Sequence, residues 1–147
     1  MTGASCRCCR WTRQGWPCNW TRCCACGRGS TGVLTQDSGA IVLGGSLYLG
    51  RNSVSNGGAS TAGTGTYNLN GGSLSATTGF LAGQGLSYGT LNQTGGSVAF
   101  AGYLYLASQT TYTLGASTAK YLISGGSLSA GNVTMARADN STTARFE

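Results

Sequence analysis

Seven cysteines, Cys6, Cys8, Cys9, Cys18, Cys23, Cys24 and Cys26, crowd into the first 26 residues, and thiols are the most reactive groups this chain owns. Thiolates hold soft metals or cross-link in an oxidising compartment. No metal is expected from them here, because the chain has no histidine to share a site with them, and for disulfides the odd count leaves one thiol over. Two further readings stand beside metal binding: a set of disulfides, or a segment that is disordered or not native protein at all. Crowded Cys, Arg, Trp and Gly are what GC-rich DNA gives in the wrong reading frame, and "CRCCRWTRQGWPCNWTRCCACGR" has that composition.

Carboxylates are the other resource for catalysis, and after residue 30 only Asp37, Asp139 and Glu147 are present. Polysaccharide-cleaving chemistry needs acids in pairs, as proton donor and base or as calcium ligands. These three fall in different parts of the sequence, and no histidine stands by to activate a nucleophile. The expectation is therefore no catalytic residue, no cofactor and no enzyme, with a polysaccharide-degrading enzyme kept as a remote alternative.

What must position any functional residue is a repeat. "GTYNLNGGSLSATTGFLAG", Gly65–Gly83, aligns without a gap on "GTLNQTGGSVAFAGYLYLA", Gly89–Ala107. A copy upstream, "GVLTQDSGAIVLGGSLYLG", begins at Gly32, and one downstream, "AKYLISGGSLSAGNVTMA", begins at Ala119 and lacks one residue after Ala130. A fifth starts at Ala144 and runs only to Glu147, so the chain reads as a fragment of a longer repeat protein. Bodies of constant pattern with joints of varying length are the sign of stacked units, insertions bulging out as loops.

Inside a copy, apolar residues recur at every second place: Ile41, Leu43, Leu47 and Leu49, then Leu74, Ala76, Phe80 and Ala82, then Val98, Phe100, Leu104 and Leu106. That is strand periodicity. Three short strands per copy are predicted, roughly 67–70, 73–76 and 79–82, with the Gly71-Gly72 pair turning the corner. One copy cannot bury its own inward face, so copies must stack, like strand on like strand, about 4.8 Å apart. Leu74 is then expected between Ile41 and Val98, and Phe80 between Leu47 and Leu104. The fold class expected is all-β, a right-handed parallel β-helix (β-solenoid) of about four coils.

Charge separates two regions. Residues 1–30 hold five arginines and no acid, while 31–147 hold Arg51, Lys120, Arg137 and Arg145 against three acids, so of the net +6 the repeats carry only +1. The domains read as 1–30, a Cys/Arg/Trp-rich leader, disordered or non-native, and 31–147, β-solenoid repeats. A nearly neutral repeat region is no nucleic-acid binder, and no apolar run is long enough to span a membrane as a helix. Raw strand edges at both ends make edge-to-edge self-association possible.

"GTYNLNGGSLSA" and "YLISGGSLSAGNVTMA" resemble the glycine-rich β-strand repeats of bacterial autotransporter passengers and of related surface-sorted proteins, over about residues 32–147. The resemblance implies an exported, non-enzymatic stalk, spacer or adhesin at the cell surface, with cell-surface glycans or matrix as partners; the leader and the C-terminal barrel or sorting tail of that family are not recognisable in this chain. A rival reading is a binding module: Tyr48, Leu81 and Tyr105 take equivalent positions in a gap-free alignment, and the alternation points them outward as a stripe for sugars or an apolar partner. The plainer account of the same stripe is cross-strand packing. An ice-binding threonine array ranks last, since Thr66, Thr90 and Thr94 do not read as continuous columns.

Overall fold

The computed structural model describes residues 18–20, 24–54, 60–82, 86–107, 116–135 and 143–147. Its strands in chain order are β1 (Cys18–Trp20), β2 (Cys24–Arg28), β3 (Thr31–Gln36), β4 (Ala40–Arg51), β5 (Ser53–Val54), β6 (Ser60–Thr61), β7 (Gly63–Leu69), β8 (Ser73–Leu81), β9 (Ser87–Gln93), β10 (Ser97–Leu106), β11 (Thr118–Ile123), β12 (Ser127–Met135) and β13 (Thr143–Phe146). No helix occurs among the described residues.

The protein is all-β, with its strands in two parallel sheets and one small antiparallel pair, β5 with β6. From β3 onward the long strands alternate between the sheets: β4, β8, β10 and β12 lie side by side in the first, and β3, β7, β9, β11 and β13 in the second. The first sheet continues past β4 through β1 and β2, each pairing with a different half of that strand. The backbone pairing thus reaches into the cysteine-rich segment; Cys6, Cys8, Cys9 and Cys23 lie outside the described residues.

Stacking is in register. Gly32, Gly65, Gly89, Ala119 and Ala144 form one column through the second sheet. In the first sheet Leu74 pairs with Ile41 on one side and Val98 on the other, and Val98 with Leu128. Apolar residues or glycine therefore lie over one another on the inward side, and the inward faces of both sheets close a core in which Leu47, Leu49, Leu69, Leu91, Leu104 and Leu106 are at most 2 % exposed.

Each copy has two strands, not the three expected from sequence. The predicted second and third segments fuse into one strand, Ser73–Leu81, and the bend between them survives only as a slip in register. The slip overturns part of the expected packing. Leu43 pairs with Ala76 and Ser46 with Thr78, so β4 spends three steps where β8 spends two; Phe100 pairs with Ala76 and Leu104 with Gly79, four steps against three. The second copy is one residue short at the bend, as the fourth is. Gly79, not Phe80, therefore lies between Leu47 and Leu104, and Phe80 faces outward between Tyr48 and Tyr105. Size explains why this is stable. A Cβ on Gly79 would come within 2.6 Å of the Phe100 ring, so the inward place opposite Phe100 has room for glycine alone.

The corners carry a buried polar latch. Gln36, 5 % exposed, donates from Nε2 to the carbonyls of Gly39 (3.0 Å) and Ser73 (3.1 Å), while its Oε1 accepts from the Tyr67 hydroxyl. Two copies on, Gln93 donates to Gly96 O (3.2 Å) and Ser127 O (3.0 Å) and accepts from Tyr121. The intervening residue of the column is Leu69. The latch thus recurs in every second copy, and each amide ties its own corner to the strand above it. Amide groups this deep are stable only when both ends are bonded. The corner also fixes its glycine: Gly72 has φ +80° and a Cβ there would lie 2.2 Å from Gly39 O.

Candidate functional site

Among the described residues, the outer face of the first sheet carries a run of stacked aromatic rings. Tyr48, Phe80 and Tyr105 occupy a single column, and their rings stack with centroids 4.8 and 5.0 Å apart at interplanar angles of 5° and 14°. Parallel, in-register strands impose this spacing, since the strand separation is itself near 4.8 Å. Tyr103 joins from the same strand as Tyr105, at 5.3 Å and 10°. At the other end the Arg51 guanidinium carbon lies 5.2 Å from the Tyr48 centroid, a cation–π contact. The run is Arg51, Tyr48, Phe80, Tyr105, Tyr103.

Of the stripe expected from sequence, Tyr48 and Tyr105 lie on this face and Leu81 does not. Leu81 is fully buried, paired with Leu49 and Leu106. The residue missing from β8 at the bend inverts the pleat beyond Ala76, sending Phe80 out and Leu81 in. That slip hides Phe80 from a gap-free alignment, although its ring directly beside Leu81 is a visible signal; Tyr103 lies two residues before Tyr105 on the same strand and so on the same face, a position that a one-residue-per-copy column does not include. Tyr103 is 45 % exposed, the most open ring of the four.

Electrostatically the face is bland. Among the described strands of the first sheet only Arg28 and Arg51 are charged. Ser, Ala and Thr flank the rings, Ser75, Ala99 and Ser129 forming one such column.

The second sheet shows polar columns instead. Asn92 donates to Asn68 Oδ1 (2.8 Å) and Asn68 to Thr35 Oγ1 (3.4 Å), and at the corner Asn70 donates to Asp37 (2.8 Å) while Thr94 donates to Asn70 (3.1 Å). These side chains satisfy one another along the stack. Thr66 and Thr90 share a column that runs on into Lys120, and the neighbouring column of Thr31, Thr64, Thr118 and Thr143 is broken by Tyr88. Among the described residues no flat threonine array results.

Among the described residues the two acids lie apart. Asp37 is exposed at a corner and Glu147, at the other end of the second sheet, pairs with Arg145; Asp139 lies outside the described residues. Among the described residues no three His, Cys, Asp or Glu side chains gather into a metal-binding group. Cys6, Cys8, Cys9 and Cys23 lie outside those residues, and in the sequence Cys6 and Cys9, and Cys23 and Cys26, stand with two residues between them, the gap that thiolate metal sites use; that spacing weakens the expectation of no metal. Among the described residues no helix is long and apolar enough to cross a membrane. No family model, curated protein or solved structure matches the chain.

Proposed function

We propose that this chain is a segment of a right-handed parallel β-helix of about four coils, belonging to an exported bacterial surface protein and serving as a stalk or spacer, without catalytic activity. The observation that carries the reading is the column geometry: five copies of one position lie over one another in a single parallel sheet. A body built this way lengthens by one rung, about 4.8 Å, for each copy added, and its backbone hydrogen bonds run along the direction of growth. Length set by copy number is what a spacer needs. The likeness of its repeats to autotransporter passengers supports placement outside the cell, and the scattered acids support a mechanical role over a chemical one.

The test is a duplication. A variant carrying residues 65–118 twice adds two rungs, and small-angle scattering should show a maximum dimension greater by about 10 Å at unchanged cross-section. Growth in cross-section, or a particle that does not lengthen, would overturn the reading. A second role, adhesion to surface glycans or matrix, is favoured by the ring run, since a solvated sheet has no need of a ring as open as Tyr103 for its own packing.

A further inference from the structure

The four stacked rings have two unlike ends. Within the run, each face of Phe80 and Tyr105 is covered by a neighbouring ring, and Arg51 covers Tyr48, so these rings offer solvent their edges. Tyr103 is the last ring, and among the described residues no further ring lies over it. Its backbone partner in β12 is Asn132, which is exposed, and the partner of Tyr105 is Thr134. From β4 through β8 to β10 each strand of the column adds a ring; at β12 the chain supplies an amide and a hydroxyl instead.

Resting on the adhesive reading above, we infer that the open face of Tyr103 binds a neutral pyranose ring of a glycan, which continues the stack over β12, with the Asn132 amide and the Thr134 hydroxyl hydrogen-bonding its hydroxyls. The apolar face of a sugar packs on the face of an aromatic ring and not on its edge, and only the terminal ring has a face to give. The hydroxyls of that sugar need short neutral donors and acceptors beside the ring, which Asn and Thr provide. Charge selects the class. The end of the stack at Tyr103 lies among uncharged strands, β8, β10 and β12, with Arg51 at the opposite end, so an anionic glycan or a phosphate gains nothing there while a neutral sugar loses nothing.

The experiment is saturation-transfer NMR on the full chain with cellohexaose, maltohexaose and chitohexaose as probes, followed by titration of whichever binds. Tyr103→Ala is expected to weaken binding about tenfold, the scale of one lost aromatic contact, and Tyr48→Ala by less than about twofold. Tyr103→Phe, which keeps the ring face, should bind as the parent does, and a far-UV spectrum matching the parent's shows that each variant is folded. Equal losses in Tyr48→Ala and Tyr103→Ala would overturn the assignment to the terminal face while leaving an adhesive stripe in place. Loss in Tyr103→Phe would overturn stacking as the mode of contact. No transfer to any of the three sugars would overturn glycan binding altogether, and the spacer reading would still be judged by scattering alone.

Discussion

The hydroxyl of Tyr67 donates to Oε1 of Gln36, thirty-one residues earlier, and both side chains are buried where the corner of one copy meets the strand of the next. The same amide holds its own corner through Gly39 and reaches Ser73. One side chain thus joins three backbone segments. Tyr67→Phe removes a donor from a buried acceptor and is expected to cost about 1–3 kcal/mol, read from urea unfolding. A cost near zero would mean that the amide is satisfied without the tyrosine.

The equivalent tyrosine, Tyr121, makes stability depend on alkaline pH. Burial holds its hydroxyl well above the ordinary tyrosine range, because the phenolate cannot be solvated there. The folded value exceeds the unfolded one, so the stability it contributes is complete below about pH 10 and is lost as pH rises from there towards the folded value. Unfolding monitored by circular dichroism between pH 8 and pH 12 should show a decline beginning near 10. In Tyr121→Phe that decline should be shallower, with a lower starting stability from the lost bond to Gln93.

Leu81 and Phe80 separate the observed register from the gap-free one. Leu81→Ala opens a cavity in a buried site and is expected to cost about 2–5 kcal/mol. Phe80→Ala removes an outward ring and loses about 0.5–1.5 kcal/mol with its two stacking partners. The reverse order, measured by thermal or urea unfolding, would place Phe80 in the core.

Two corner glycines share a backbone conformation and differ in surroundings. Gly39 has φ +78° with open space where a Cβ would go, and Gly72 has φ +80° with Gly39 O 2.2 Å from that point. Gly39→Ala should cost only the conformational penalty of about 1–2 kcal/mol. Gly72→Ala must also push two corners apart, so its midpoint in urea should fall well below that of Gly39→Ala; equal midpoints would show that the corners are not in close contact.

Much of the architecture was legible before any coordinates. Period-two apolar residues, glycine pairs at the corners and four copies of one pattern determined an all-β chain whose copies lie in parallel register, and the column Ile41, Leu74, Val98, Leu128 follows from that alone. The corner latch was not legible, because Gln36 and Tyr67 belong to different copies and nothing in either copy marks them as partners. The aromatic run was half legible. In a stretch of Gly, Ser, Thr and Ala the second copy aligns without a gap, and only the match of Phe80 to Tyr48 and Tyr105, and of Leu81 to Leu49 and Leu106, marks one residue as missing before them. Tertiary packing decided it: only Gly79 fits against the Phe100 ring, and with glycine inward every residue from there to Leu81 changes side. Sequence periodicity fixes that side chains alternate; which of two neighbours is buried depends on the phase of the pleat, and the strands stacked on either side set that phase.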